Sequence, residues 1–536
     1  MTLPKITIGL GSVSIDNVCE IALGKANVQL DSTPAYIQTI DRGAEYLAQL
    51  LESEGVVYGV TTGYGDSCTV NVPLDKVDDL PRHLYTFHGC GLGDYFSPEV
   101  TRAILVTRLV SLAKGFSGVR YRLLQQIETL LQHDILPLIP EEGSVGASGD
   151  LTPLSYVAAV LCGEREVRYQ NQTMATSQAF ELAGVEAIQL KPKEGLALMN
   201  GTAVMTALAC LAVDRMSYLC RLASRITALN TVAMLGNANH FSERLFEAKP
   251  HPGQGQIAAW IREDLGNREE LSGQSSRLQD RYSLRCAPHV IGVAQDALPF
   301  WQQQVTTELN SANDNPIVDA EFGRVLHGGH FYGGHIAMVM DSVKSQAASI
   351  ADLLDRQMAQ ISDPKFNHGL PANVSGAEGD EACLHHGMKA VQIGVSAWTA
   401  EALSLTMPVT SFSRSTECHN QDKVSMGTIA ARQCVRVLSL AEQAATATLM
   451  AAVQGVRLRE RAREVVVAQV SPQLHETVLE VDAIFPMLEM DRRLDHEMRT
   501  LLQYVQAQQV SVPTSELEQV VSRASAAAPS SELEMA

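Results

Sequence analysis

A chain of 536 residues, 46% hydrophobic and 19% charged, is long enough for two to four cores and too apolar to be disordered. A formal charge of −19 with no run of basic residues argues against a phosphate-binding surface, and so against a nucleic-acid partner. The ten cysteines form no Cys-x-x-Cys pair, which disfavours a disulfide framework or structural zinc and points to a reducing, cytoplasmic setting.

In chain order, Met1 to Gly24 carries one early Lys and is broken by Asp16, so it does not read as a signal peptide. Ile6 to Leu10 reads as extended, within a mixed region that closes in a Gly/Thr-rich loop, Gly55 to Val72. Residues 99–135 read as helices, because Val100, Ile104, Leu105, Leu109, Leu112 and Ala113 recur at helical spacing. A loop with Gly143, Gly146 and Gly149 follows, and Asp150 is placed to cap a helix whose first turn tolerates Pro153.

Leu196 to about Leu235, Ile336 to Ile361, Ala382 to Leu405 and Met426 to Arg457 read as long, Ala-rich helices. Gly195 to Val213 is uncharged and membrane-like in length, but it holds Asn200, Gly201 and two Thr; a buried core helix and no membrane partner is the expectation. Ser515 and Glu518 are placed to cap a short helix before a frayed end. The predicted fold class is mainly α: a large elongated helical bundle with a small mixed N-terminal region. Its expected regions are 1–200, 201–460 and 461–536. Several helices lack a polar face, which suggests an oligomer.

The chemistry starts at Ala147-Ser148-Gly149, set among glycines where the backbone can bend sharply. There the Gly149 nitrogen can attack the Ala147 carbonyl carbon, and loss of water closes a five-membered ring. Dehydration of Ser148 then leaves an exocyclic methylene. A Cβ at position 149 would obstruct closure, and only Ser or Cys supplies the leaving group. The product is an electrophile, which no ordinary side chain provides; the plain alternative is a Gly-rich turn.

The string Gly143-Ser144-Val145-Gly146-Ala147-Ser148-Gly149-Asp150-Leu151-Thr152-Pro153-Leu154 resembles the signature of the histidine, phenylalanine and tyrosine ammonia-lyases and their sister 2,3-aminomutases. Tyr58-Gly59-Val60-Thr61-Thr62-Gly63-Tyr64-Gly65 is similar to that family's catalytic tyrosine loop. Leu198 to Thr202, Tyr282 to Arg285, Asn310 to Pro316, and Asn420-Gln421-Asp422 match further family strings, in family order across roughly residues 5–510.

The resemblance implies a fumarase/aspartase-like helical assembly and a methylidene-imidazolone (MIO) electrophile formed from Ala147, Ser148 and Gly149. It also implies a small aromatic amino acid as substrate and a homotetramer whose sites draw on several chains. By the same resemblance, the substrate amine adds to the electrophile and thereby becomes a leaving group. Tyr58 is the base for the β-hydrogen, and its phenol must be lowered by about three units to act at neutral pH. Helix N-termini and Arg285 are the expected sources of that lowering.

Arg285 is the expected carboxylate clamp, since a planar guanidinium pairs two oxygens. Asn200 and Tyr282 correspond to positions that meet the MIO group or the substrate. Gln279, Asn313, Phe331 and Gln421 fall at further active-site positions.

Departures bear on the substrate. The ring-contacting pair is Phe87-His88, a hybrid: Phe87 suits an apolar ring face, whereas His88 can hydrogen-bond a phenol or an imidazole. Histidine enzymes carry a Glu right after the Asn-Gln pair, where this chain has Asp422. Glu417 instead resembles the phenylalanine-lyase arrangement. Phenylalanine or tyrosine is therefore favoured and histidine stays open. His330 stands where an Asn usually precedes Phe331, and Asp66 stands where some aminomutases have a Glu, which keeps a 2,3-aminomutase as the alternative. Metal hydrolysis is a remote reading: neither His327, His330 and His335 nor Cys383, His385 and His386 has a recognised ligand spacing, so no metal is expected. An inactive helical scaffold is equally remote, given Ser148 and Tyr58.

Overall fold

The computed structural model describes residues 3–53, 55–267 and 278–514; the expected cap at Ser515 and Glu518 lies outside them. The chain folds into two compact units, neither contiguous in sequence. The first comprises Met1–Asp214, Pro299–Ser345 and Leu405–Arg436, and the second Arg215–Leu298, Gln346–Ser404 and Val437–Ala536. The region 1–200 thus falls within the first unit, while 201–460 is divided between the two.

The first unit carries the strands. Lys5–Ile8 pairs in parallel with Asn27–Leu30, so the extended piece foreseen at residue 6 is present. Leu92–Tyr95 pairs with Pro140–Glu142, and Leu136–Pro137, Glu166–Tyr169 and Gln172–Ala175 form a small antiparallel sheet. Beside them the helix Pro98–Leu112 begins at Ser97, whose side chain accepts from the Val100 N–H, with Pro98 at the first position where its missing N–H is harmless. Eleven of its fifteen residues are buried, which explains why no polar face was legible there. The helix Tyr121–His133 closes in a left-handed Asp134.

Long helices stand close to where periodicity placed them, at Ala203–Ala233, Gly334–Ser362, Lys389–Ser404 and Gly427–Arg461. The stretch from Leu196 is not one helix. Glu194–Met199 ends at Asn200, and Gly201, at φ +148°, breaks the path before Ala203. Ala203–Ala233 is long and apolar enough to cross a membrane, but 78% of its most apolar window is buried inside the structure.

The second unit holds only helices among the described residues. Its polar side chains cross-link the helices internally. Asn230 Nδ2 donates to Gln357 Oε1 at 2.9 Å, and Gln357 Nε2 donates to Thr227 Oγ1 and the Ser283 carbonyl, each at 2.9 Å. Arg225 meets Asp264 at 2.7 Å with both side chains almost fully buried.

Candidate active site

The site is built on the loop 143–150. Gly143, Gly146 and Gly149 all have positive φ (+122°, +68° and +72°), which side-chain-bearing residues rarely adopt. At Gly149 a Cβ would also overlap the Gly201 carbonyl. Two crossed hydrogen bonds lock the two segments together: Asp150 N–H donates to the Gly201 carbonyl at 2.7 Å, and Gly201 N–H donates to the Ser148 carbonyl at 3.2 Å.

Asp150 corrects one expectation. It makes no side-chain cap on its own helix, Leu151–Leu161. Its buried carboxylate instead accepts from the Val204 and Met205 N–H groups at 2.9 and 3.0 Å, capping the helix Ala203–Ala233, and from Thr428 Oγ1. Burial pushes this carboxyl up to about 6 against the pull of those donors. One side chain therefore ties three sequence-distant segments around Ser148.

Above the loop opens a cavity of about 920 Å³, lined entirely from the first unit. It gathers Ala147 and Ser148 with Tyr58, Phe87, His88, Asn200, Phe331, Glu417, Asn420 and Gln421. Gly149 lies behind this wall, in the backbone turn itself.

The turn carrying Glu417, Cys418 and His419 is left-handed at all three residues, with φ of +53°, +54° and +68°. Such a run persists only when its surroundings hold it. Here Thr416 and Gln421 exchange backbone hydrogen bonds at 3.0 and 3.3 Å across it. Thr416 Oγ1 also donates to Gln421 Oε1 at 2.8 Å, which turns the Gln421 amide so that Nε2 donates to Ser148 Oγ at 3.2 Å. Glu417 accepts from the Asp66 N–H at 2.8 Å and from Asn420 Nδ2 at 2.9 Å, tying this turn to the tyrosine loop.

Tyr58 departs from expectation. Its hydroxyl accepts the Gly65 N–H at 2.8 Å, which favours the phenolate, yet burial and the nearby Glu417 carboxylate outweigh that and push the phenol up. Within one chain, Tyr58 is a weaker acid than a free tyrosine rather than a stronger one.

Phe87 and His88 stack at 4.5 Å between ring centroids at the end of the helix Leu80–Phe87. Burial pulls the His88 imidazole down to about 4, so it is neutral at physiological pH. Asn200 is buried and its Oδ1 finds no partner among the described residues, although the residue lines the cavity.

Besides Gly149, four expected residues are not on this wall. Asn313 is buried behind it, its Oδ1 accepting from Arg108 Nη1 at 3.1 Å and Ser111 Oγ at 3.2 Å. Gln279, Tyr282 and Arg285 belong to the second unit. There Tyr282 is 72% exposed, and the Arg285 guanidinium lies 4.6 Å over its ring while donating to the Asp280 carbonyl.

The structure adds cavity residues that sequence reasoning did not single out: Tyr64, Asn315 and Lys423. The first two sit inside matched strings, which was the available signal. Among the described residues no group of three or more His, Cys, Asp or Glu side chains is arranged to hold a metal, and all ten cysteines are free thiols.

Residues 13–481 match the family described as aromatic amino acid lyase. A histidine ammonia-lyase from Gloeobacter violaceus is 36% identical, over 92% of this chain and 94% of that protein. The crystal structure of tyrosine aminomutase from Streptomyces globisporus superimposes with a TM-score of 0.87 at 31% identity, covering 97% of this chain and 99% of that one. Histidine ammonia-lyase from Trypanosoma cruzi gives a TM-score of 0.85 at 26% identity, over 94% of each chain.

Proposed function

The chain belongs to the aromatic amino acid lyase family and is a carbon–nitrogen lyase, and from that premise we propose that it eliminates ammonia from an aromatic L-α-amino acid to give the arylacrylate. The observation that carries this reading is the convergence of Ser148, Tyr58 and Gln421 on one cavity above a turn that only glycine can complete. The residues fit an MIO group formed from Ala147, Ser148 and Gly149: position 149 has no room for a Cβ, and Asn200, whose buried Oδ1 has no partner among the described residues, is one of the cavity-lining residues. When formed, the group supplies an electrophilic carbon for the amine, and no metal is needed.

The chain's own residues do the rest. Gln421 orients the group at position 148 through its bond to Ser148 Oγ, and Asn200 lines the same cavity. Tyr58 Oη takes the β-hydrogen, and as burial and Glu417 oppose its ionisation, added positive charge in the assembled site must offset them. A homotetramer answers that need, with Arg285 as carboxylate clamp and Tyr282, together with Gln279, supplied by neighbouring chains; the exposure of Tyr282 supports this. Ten free thiols suit the cytoplasm.

Tyrosine is our first choice of substrate, with phenylalanine next. Phe87 offers an apolar face and neutral His88 one donor and one acceptor, which match a phenol. Histidine is the competing choice, favoured by the named activity of the Gloeobacter relative. A 2,3-aminomutase is the second reading: the Asp66 N–H is fastened to Glu417, which lines the cavity, and a solved neighbour is a tyrosine aminomutase. A tyrosine loop tied to Glu417 in this way would slow the escape of ammonia and favour its re-addition at the β-carbon. Incubating the folded protein with tyrosine, phenylalanine and histidine, and separating arylacrylates from β-amino acids, tests all of these. Consumption of none of the three would overturn the proposal.

A further inference from the structure

Arg108 sits in the helix Pro98–Leu112 with no exposed surface. Of its guanidinium nitrogens only Nη1 is engaged, donating to Asn313 Oδ1 at 3.1 Å and to the Asn200 carbonyl at 3.4 Å. Nε and Nη2 find no acceptor among the described residues. Neither nearby buried carboxylate pairs with it. Asp314 is taken by Lys193 Nζ at 2.5 Å, and Asp150 is spent on the helix N–H groups and Thr428. A buried, half-unpaired guanidinium is a poor device for stability, since an apolar side chain of similar volume would pack there without the desolvation penalty.

Its position suggests another use. The Asn200 carbonyl and the Gly201 N–H are the two ends of one peptide unit. A cation on the carbonyl draws electron density through that unit and strengthens the N–H as a donor. That N–H donates to the Ser148 carbonyl at 3.2 Å. The Ser148 carbonyl adjoins the Cα that must lose its proton when Ser148 is dehydrated. As the Cα–H bond breaks, its electron pair spreads onto the carbonyl oxygen; it then forms the Cα=Cβ bond as Oγ departs. The proton and the hydroxide leave together as one water, and no oxidant is required. At the departing end, Gln421 Nε2 already donates to Ser148 Oγ at 3.2 Å.

We propose that Arg108 is a positioning residue for self-processing of Ala147-Ser148-Gly149: acting through the Asn200–Gly201 peptide, its charge steadies the enolate oxygen of Ser148 while that residue loses water. This rests on the MIO reading above and adds a residue to it.

The test reads mass rather than activity. Soluble full-length wild type, Arg108→Lys, Arg108→Gln and Asn313→Asp are sampled over time after synthesis, and intact masses are recorded beside the thermal midpoint and oligomer size. Asn313→Asp keeps the shape and both hydrogen bonds but sets a carboxylate on Nη1, so it remains informative should Arg108→Gln fail to fold. Wild type is expected to fall short of its encoded mass by two waters. Arg108→Gln and Asn313→Asp should reach that deficit at least tenfold more slowly, accumulating chains short of one water, while Arg108→Lys falls between. A purely structural role would move the thermal midpoint and leave this order flat. Processing of Asn313→Asp, or of folded Arg108→Gln, at the wild-type rate overturns the proposal. A wild type at full encoded mass overturns the MIO reading itself.

Discussion

Two buried arginines, one in each unit, show how differently this chain treats the same charge. Arg225, in the all-helical second unit, has a carboxylate partner: Nε donates to Asp264 at 2.7 Å, and Nη1 donates to the Gln473 carbonyl at 3.0 Å and Thr477 Oγ1 at 2.6 Å. Arg108, in the first unit, is as deeply buried but leaves two of its nitrogens unpartnered among the described residues, behind Asn200 and Gly201. Arg225 thus has a buried carboxylate within hydrogen-bond reach, whereas Arg108, beside Asn200 and Gly201, has none, and a buried cation without such a partner asks for an explanation. Asn200 Oδ1, beside the same loop, is also unpartnered among the described residues.

The sharpest way to widen this contrast is at the site itself. Ser148→Ala should abolish turnover while the denaturation midpoint stays near wild type. Tyr58→Phe should lower kcat by about 10²- to 10⁴-fold, the range for a lost general base, again with the fold intact. Neither change touches the second unit, so a large stability loss in either would erase the distinction between the regions.

The next effect is the mirror image. Arg225→Met leaves the buried Asp264 carboxylate alone and should cost about 3–5 kcal/mol of stability by chemical denaturation. Activity per folded molecule should be unchanged. Arg108→Met removes a charge that lacked a carboxylate partner, and should shift the same midpoint by much less.

Smaller effects come from His88. Replacing it by Leu should shift the ratio of kcat/KM values towards phenylalanine and away from tyrosine by about tenfold, the worth of one hydrogen bond to the ring substituent. Its pH signature has a definite sign. Burial holds the folded imidazole at about 4, whereas the unfolded chain titrates near 6.5. Between those values the unfolded state binds the extra proton, so stability is whole above about pH 6.5 and falls as pH drops towards 4. His88→Gln should make the midpoint less sensitive to acid across that window.

Much of this contrast was legible in the residues, and what was hidden had a physical cause. The loop at Gly143, Gly146 and Gly149 could be found because positive φ demands glycine, and the long helices because their apolar residues recur. Asp150 was read as the cap of the helix that follows it, since local order says nothing about which helix end a carboxylate meets in space. It serves the helix at Ala203 instead. Asn313 was expected at the site, but its side chain is committed to Arg108 and Ser111 behind the wall. Tyr58 was expected to be acidified. Arg285, proposed as one source of positive charge, belongs to the second unit, and the carboxylate that acts on the phenol, Glu417, is negative. Arg108 itself stood unnoticed in the run Ile104 to Ala113, although a lone cation inside an apolar helical stretch was a visible anomaly.

The central claim concerns a covalent change, and intact-mass spectrometry of the purified wild-type chain beside Ser148→Ala tests it most directly. The account predicts that wild type is lighter than its encoded sequence by two waters and that the deficit maps to the peptide containing Ala147, Ser148 and Gly149. Ser148→Ala should show no dehydrated side chain at that peptide. A wild-type chain with its full encoded mass would contradict it.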